Sequence, residues 1–197
     1  MFDKKYRVNI LRKGNCKKKL RSDYIDPNYF LLILRALTTE NRLAVLVSMY
    51  TGLRISDVLS LKTNQIRKQR FTVKEQKTGK SKRIRLSDEL TEDLLKIAGR
   101  VYVFSNRLDE KKTRTRQAVY KDIQRACKLL RVSSSYVVSP HSARKIYAVR
   151  VYRDRLDIGK VKNLLNHDSE AVTMIYAMAD QLTERGHTER QKLTVTL

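Results

Sequence analysis

Apolar residues in this chain recur at helical spacing on both sides of one short segment in which they alternate, and this change of period most constrains the fold. The alternating segment covers residues 69–86, around the turn signal Lys77-Thr78-Gly79-Lys80-Ser81. Alternation on both sides of a glycine-containing turn is typical of a β-hairpin. We therefore predict a mostly helical α+β domain in which helices surround a small antiparallel β-sheet.

Capping signals and apolar repeats mark the starts of four predicted helices. Asp26-Pro27 and Ser139-Pro140 each place an N-cap residue before a proline at the first helical position. Two further apolar repeats of helical spacing begin after Ser87 and near Thr115. We expect the folded part of the chain to begin near Asp26.

The segment around Arg54 lies between two predicted helices. A helix over about residues 40–50 is followed by Gly52, which suits a left-handed position at a helix C-terminus. Ser56 is expected to cap a third helix that runs through Leu61. Arg54 is thereby predicted to lie in a turn between two buried helices, which would hold a cation rigidly.

The charge of the chain predicts a polyanionic partner. Its 197 residues, enough for one domain, contain 43 Lys and Arg against 20 Asp and Glu, a formal net charge of +23. This excess favours nucleic acid bound through its phosphates. Residues 1–25 hold nine Lys or Arg and two Asp, and we interpret them as a basic arm. A membrane is not an expected partner, because no apolar run approaches the roughly 20 residues of a spanning helix.

Cysteine and metal-ligand patterns argue against a secreted fold and against a cofactor enzyme. Cys16 and Cys127 form neither a disulfide framework nor a zinc cluster, and the first residues lack the apolar core of a signal peptide. The chain also lacks a glycine-rich phosphate loop and a clustered carboxylate site. We expect a cytoplasmic, DNA-associated protein that uses no metal, ATP or other cofactor.

Three short stretches contain the residues that most suggest chemistry. They are Thr51-Gly52-Leu53-Arg54-Ile55-Ser56-Asp57, His141-Ser142-Ala143-Arg144, and His167 with Tyr176 nine positions later. Two of the three histidines in the chain fall within them. Cleavage of a phosphodiester without water needs donors on the non-bridging oxygens and a nucleophile, and these residue types supply both. A phenol with a pKa of about 10 also needs a proton acceptor, for which His141 is the better placed histidine.

Taken singly, these residues also have ordinary interpretations. An arginine such as Arg54 in so basic a chain can be a nonspecific phosphate contact, and Tyr176 lies on the apolar stripe of its predicted helix.

A lysine at the hairpin turn can give a proton to a departing 5′-alkoxide. By register alone, Lys77, Lys80 and Lys82 are alternative donors.

In order and spacing, these stretches resemble the catalytic domain of the tyrosine recombinase (phage integrase) family. The resemblance covers about residues 26–180 and includes a hairpin lysine between the first two stretches. It implies that two arginines clamp the scissile phosphate, that the lysine protonates the leaving oxygen, that two histidines support the site, and that a tyrosine is the nucleophile. In the order of those roles, the residues are Arg54, Arg144, Lys77, His141, His167 and Tyr176.

The chain departs from the family pattern in two places. Asn166 stands where the family usually has glycine before the second histidine, and asparagine also tolerates left-handed backbone. Family members usually carry a helical core-binding domain ahead of the catalytic part, whereas 25 residues precede Asp26 here. The chain is either a small member or a fragment. Residues 181–197 are expected to form a C-terminal tail that contacts a neighbouring protomer.

The resemblance implies site-specific DNA recombination or integration through a 3′-phosphotyrosyl intermediate, which a 5′-hydroxyl of a partner duplex resolves. The implied assembly is double-stranded DNA held by a homotetramer, with accessory DNA-bending proteins left open. One alternative is a DNA-binding regulator that keeps the fold without the chemistry. A second is a type IB topoisomerase or telomere-resolving enzyme that shares the chemistry.

Overall fold

The computed structural model describes residues 22–134 and 136–155 of the chain. These residues form seven helices and one two-stranded sheet. In chain order, they are α1 (Pro27–Arg35), α2 (Thr39–Thr51), α3 (Ile55–Leu59), α4 (Thr63–Ile66), β1 (Arg70–Lys74), β2 (Ser81–Arg85), α5 (Asp88–Ile97), α6 (Arg116–Leu129) and α7 (Pro140–Arg155). The predicted α+β class, mostly helical with a small antiparallel sheet, is confirmed.

Side-chain caps begin three of the predicted helices, α1, α5 and α6. The Asp26 carboxylate accepts hydrogen bonds from the backbone N–H groups of Asn28 and Tyr29, at 2.9 and 3.1 Å. Ser87 and Thr115 cap α5 and α6 through their hydroxyl oxygens. These bonds satisfy amide donors that have no partner inside the first turn of a helix.

The turn between α2 and α3 carries Arg54. Gly52 ends α2 in the predicted left-handed conformation, with φ of 70°, and its N–H donates to the Ser48 carbonyl at 2.8 Å. The prediction that Ser56 caps α3 is wrong, because Arg54 itself occupies the N-cap position. The Arg54 carbonyl accepts from the amides of Asp57 and Val58, at 2.9 and 3.0 Å. The helix therefore begins without a side-chain cap.

The hairpin lies at the predicted position. β1 and β2 pair antiparallel, with Phe71 opposite Ile84 and Val73 opposite Lys82. Phe71, Val73 and Ile84 are buried and face the helices, while alternate residues of both strands are exposed. The alternation seen in the sequence is thus the alternation of core and solvent faces.

Two polar junctions fix the helices that carry the site. At the first, Asp122 of α6 accepts hydrogen bonds from Thr38 and Asn41 at the start of α2, between 2.8 and 3.0 Å. At the second, Ser22 shares a 2.6 Å hydrogen bond with Ser139, next to the start of α7. Packing therefore extends a few residues ahead of α1, and Ile25 is part of the core. α7 itself lies against α2. In the described part of the chain, no helix has the length and apolar character needed to cross a bilayer.

Candidate active site

Arg54 is held by a buried carboxylate at the end of β1. Its guanidinium Nη1 donates to Glu75 Oε2 at 2.5 Å, and the Glu75 side chain is fully buried. The Thr78 hydroxyl donates to the same oxygen at 3.0 Å. A carboxylate buried in this way needs a charged or hydrogen-bonding partner, and Arg54 and Thr78 provide one each.

A second hydrogen bond joins α3 to the hairpin. The backbone N–H of Gln76 donates to Asp57 Oδ1 at 3.0 Å, and Asp57 is buried in the first turn of α3. The Thr51–Asp57 stretch therefore contacts the hairpin turn at two points, through Arg54 and through Asp57. The two motifs that lie apart in sequence form one packed unit.

Arg144 lies in the second turn of α7 and is buried, with 8% of its surface exposed. Burial, followed by the nearby positive charge of Arg54, lowers the pKa of Arg144 to about 10. The carboxylates of Glu75 and Asp57 act in the opposite direction. Arg144 stays charged at neutral pH, and its charge and that of Arg54 share one region of the fold.

Lys82 of β2 is the third cation of this region. Its ammonium donates to the Thr51 carbonyl at 2.7 Å and lies 4.8 Å from the centroid of the Tyr147 ring. Burial, followed by the charge of Arg144, lowers the pKa of Lys82 to about 8. We call the set formed by Arg54, Lys82 and Arg144 the cationic basin.

The Tyr147 ring closes one side of the cationic basin by packing on Gly52. A Cβ atom added at Gly52 would lie 2.4 Å from Cδ1 of Tyr147. Glycine is therefore required at position 52 for two reasons. The backbone has a positive φ there, and the Tyr147 ring approaches too closely to leave space for a Cβ atom. The glycine of the Thr51–Asp57 stretch places α2 against α7.

The structure places the remaining predicted site residues differently from the arginines. Lys77 is exposed in the hairpin turn. His141 is exposed in the first turn of α7, where its backbone N–H donates to Ser139 Oγ at 3.1 Å. His167 and Tyr176 lie outside the described residues. The structure thus brings Arg54 and Arg144 together. His141 lies on α7, the helix that also carries Arg144. Lys77 lies in the hairpin turn, which contacts Arg54 through Glu75 and Thr78.

Sequence reasoning missed Glu75. A signal was available, because Phe71, Val73 and Glu75 follow one another at the spacing of a single strand face. An acidic residue in the core-facing phase of a basic hairpin indicates a buried ion pair. Lys82 falls opposite Val73 in the pairing register, which likewise turns it inwards.

The described residues contain no group of three or more His, Cys, Asp and Glu side chains that could hold a metal ion. What they do contain is a basin in which cationic side chains outnumber the carboxylates. Burial and mutual repulsion both disfavour the charges of Lys82 and Arg144. A phosphate group that entered the basin would relieve that repulsion and accept hydrogen bonds from planar guanidinium donors.

Comparison with known proteins agrees with this geometry. Residues 24–182 match the phage integrase family. The probable integrase/recombinase YoeC of Bacillus subtilis is 28% identical over 145 residues, which cover 68% of this chain and 75% of that protein. The tyrosine recombinase XerA of Pyrococcus furiosus is 27% identical over 167 residues, which cover 80% of this chain and 57% of that protein.

Solved structures of similar fold include XerA recombinase and lambda integrase. XerA superposes with a TM-score of 0.61 at 22% identity, covering 82% of this chain and 65% of that chain. A lambda integrase dimer bound to a COC′ core site gives 0.66 at 22% identity, covering 83% of this chain and 50% of that chain. The chain spans between half and three-quarters of the length of these relatives. Because the family match extends over most of its residues, the chain belongs to the phage integrase family of tyrosine recombinases.

Proposed function

We propose that this protein is a site-specific DNA recombinase or integrase that breaks and rejoins DNA strands through a tyrosine. The observation that carries the proposal is the cationic basin, in which Arg54 and Arg144 approach from separate elements closely enough for one charge to lower the pKa of the other. Family membership supports the same reaction, and the net charge of +23 supports DNA as the substrate.

In the proposed reaction, the phenolic oxygen of Tyr176 attacks a backbone phosphorus atom. A bond forms between that oxygen and phosphorus, and the bond from phosphorus to the 5′-oxygen breaks. His141 accepts the phenol proton, Lys77 donates a proton to the 5′-oxygen, and His167 supports the site. The products are a 3′-phosphotyrosyl link and a free 5′-hydroxyl, and a partner 5′-hydroxyl reverses the step. One ester replaces another, so the reaction itself consumes no ATP.

The arginines act on the charge that builds up during this step. Two guanidinium groups facing the non-bridging oxygens bind the phosphorane-like transition state more strongly than the ground state, because its negative charge is larger. Removing one such donor typically raises a barrier by about 3 to 4 kcal/mol, or roughly a hundredfold to a thousandfold in rate. We expect a loss of this size for Arg144→Ala.

We assign the proton donor to Lys77 and not to Lys82. The ammonium of Lys82 is directed at the Thr51 carbonyl and lies against the Tyr147 ring, inside the fold. Lys77 is exposed in the turn that follows β1, where its side chain can reach a bound duplex. The resemblance to the family selects the same lysine.

We propose that the working assembly is a homotetramer on two duplexes. This rests on the relatives, since one solved structure is a lambda integrase tetramer bound to a Holliday junction. Residues 181–197 are proposed to contact a neighbouring protomer. Deletion of the residues after Gln181 should then weaken assembly on DNA and leave the folding of the monomer intact, as measured by sedimentation. Unchanged assembly would rule out a role for this tail.

The reaction class can be tested without knowing the target sequence. The substrate is a pool of duplexes with a randomised segment, each nicked a few nucleotides past that segment. Cleavage releases the short piece between the cut and the nick, which carries the free 5′-hydroxyl. Because this piece diffuses away, the covalent intermediate is trapped. We expect the wild-type protein to form protein–DNA adducts that survive denaturation, and the sequences recovered from them define the cleavage site. Tyr176→Phe should form none.

Tyr120→Phe is the matched control, because it removes the hydroxyl of an exposed tyrosine on α6. It should form adducts as the wild type does. Binding of DNA without any adduct would indicate a regulator that keeps the fold, and relaxation of a supercoiled plasmid by a monomer would indicate a type IB topoisomerase. Either result would replace the proposed function.

A further inference from the structure

The hairpin lysine is exposed, yet both of its neighbours in sequence are tied to the segment that carries Arg54. On one side, the N–H of Gln76 donates to Asp57 Oδ1 at 3.0 Å. On the other side, the hydroxyl of Thr78 donates to Glu75 Oε2 at 3.0 Å, the oxygen that also accepts from Arg54. The backbone of Lys77 is therefore fixed relative to Arg54, while its side chain projects into solvent.

Glu75 is the centre of this arrangement. Its backbone closes the turn, since its N–H donates to the Lys80 carbonyl at 2.9 Å and its carbonyl accepts from Gly79 N–H at 2.8 Å. Its side chain places one oxygen between the guanidinium of Arg54 and the hydroxyl of Thr78. A single acceptor atom therefore connects the guanidinium of Arg54 to the turn that carries Lys77.

We propose that Glu75 is a positioning residue that joins the phosphate clamp to the proton donor, by holding Arg54 and the Lys77 turn on one carboxylate oxygen. The inference rests on the proposed function, because it assigns a purpose to the distance between two residues of the proposed site. A donor on a turn of its own would sample many positions, whereas a turn tied to the clamp keeps the ammonium near the scissile bond. Glu75 touches no DNA in this role and acts through its two partners.

The link from Glu75 to the turn can be cut without disturbing the clamp. Glu75→Ala would leave the buried charge of Arg54 without its carboxylate, which destabilises the fold and confuses the result. Thr78→Val has nearly the same shape as the native residue and removes the hydroxyl, which donates to Glu75 Oε2 at 3.0 Å and accepts a longer bond from Lys80 N–H at 3.4 Å. Thr78→Ser restores that hydroxyl, and Thr72→Val makes the same change at an exposed position of β1 that makes no side-chain hydrogen bond to Glu75.

The experiment measures the rate of adduct formation on the recovered cleavage site with two leaving groups. One substrate carries the ordinary 5′-oxygen at the scissile phosphate, and the other carries sulfur there. A thiol ionises with a pKa near 8.5, far below that of an alcohol, so a sulfur leaving group departs without a donated proton. A defect confined to Lys77 therefore appears with oxygen and disappears with sulfur.

We expect Thr78→Val to slow cleavage of the oxygen substrate about fivefold to tenfold, the effect of losing one positioning hydrogen bond. Its rate on the sulfur substrate should equal that of the wild type, as should its affinity for DNA. Thr78→Ser should recover the oxygen rate, and Thr72→Val should match the wild type on both substrates.

Equal slowing of Thr78→Val on both substrates would overturn the inference, since the hydroxyl would then serve the fold or the clamp in general. An unaffected oxygen rate would overturn it as well. In both cases the wild type still forms adducts, so the proposed function stands. If the wild type forms no adduct on either substrate, the proposed function and this inference fall together.

Discussion

At the scale of single residues, Gly52 and Gly79 share a backbone conformation but differ in surroundings. Their φ angles are 70° and 67°. A Cβ atom at Gly52 would overlap the Tyr147 ring, whereas one at Gly79 would meet no heavy atom within 4 Å. The pair therefore separates the cost of positive φ from the cost of steric overlap.

We predict that Gly79→Ala lowers the free energy of unfolding by about 1 kcal/mol, the strain of a left-handed alanine. Gly52→Ala should lower it by about 3 kcal/mol, because displacement of the Tyr147 ring adds roughly 1 to 3 kcal/mol to that strain. Urea denaturation of both variants measures the difference. Similar losses for the two glycines would contradict the predicted role of the ring contact.

Lys82 should make stability depend on pH in the alkaline range. Burial and the charge of Arg144 hold the pKa of Lys82 at about 8, against 10.5 for an unperturbed lysine. Between pH 8 and 10.5, the unfolded chain then binds more protons at this residue than the folded chain does. The free energy of unfolding therefore gains a contribution that rises with pH across this window.

We predict that the free energy of unfolding of the wild type rises relative to that of Lys82→Met between pH 7.5 and 10. Paired urea titrations at several pH values measure this difference, and other titrating groups cancel because both proteins contain them. Lys80→Met removes a charge from an exposed position of the same hairpin and serves as the control. A difference for Lys82→Met that stays constant with pH would be inconsistent with a buried ammonium.

At the scale of elements, the carboxylate of Asp122 connects α6 to the start of α2. Burial disfavours its ionised form, but hydrogen bonds from Asn41, Thr38 and Arg125 outweigh that effect and keep the pKa of Asp122 below its usual range. A lowered carboxyl pKa contributes stability that is present near neutral pH and is lost as the pH falls through the folded value. The junction should therefore weaken in acid.

We predict that Asp122→Ala lowers the free energy of unfolding at pH 7 by about 2 to 4 kcal/mol, since it leaves several buried donors without an acceptor. The deficit relative to the wild type should shrink only in stronger acid, as the pH falls through the lowered pKa of Asp122 and the wild-type carboxyl becomes protonated. Asp93→Ala, which breaks an exposed ion pair with Lys96, should change stability little. Thermal unfolding of the three proteins at pH 7 and over a series of acidic pH values measures these differences.

The elements that the sequence predicted correctly are those with local signals. The hairpin is indicated by the alternation of apolar and polar residues. Each of α1, α5 and α6 begins at a residue whose side chain caps that helix. The predicted end of α3 at Leu61 was wrong, and α4 was not predicted. These two helices have five and four residues, too few for a helical repeat to be recognised.

The arginines of the site could be found from sequence because short motifs surround them. Glu75 could not be assigned a partner in the same way, since its contact with Arg54 joins positions 21 residues apart. The burial of Lys82 likewise depends on α7, which brings Tyr147 and Arg144 to it from far along the chain. Contacts of this kind follow from packing and not from local pattern.

At the scale of the whole molecule, the net charge of +23 should dominate DNA binding. Each phosphate that a cationic side chain neutralises releases counterions from the duplex, so the affinity falls steeply as salt rises. A protein that makes roughly six to ten such contacts loses a factor of about 10³ to 10⁵ in affinity between 50 and 200 mM salt. Fluorescence anisotropy with a labelled duplex measures the slope of log affinity against log salt concentration.

The same slope tests whether the cationic basin receives a phosphate. If Arg144 contacts one, Arg144→Ala should reduce the magnitude of the slope by about 0.9, the value for one neutralised phosphate on duplex DNA. Measurement at pH 7 keeps Lys82 protonated in both proteins, because loss of the Arg144 charge only raises the pKa of Lys82 from about 8. Tyr176→Phe removes no charge and should keep the wild-type slope. A slope that does not change in Arg144→Ala would mean that the guanidinium of Arg144 stabilises the fold and does not contact DNA. The cationic basin would then not be the site at which the strand is cut.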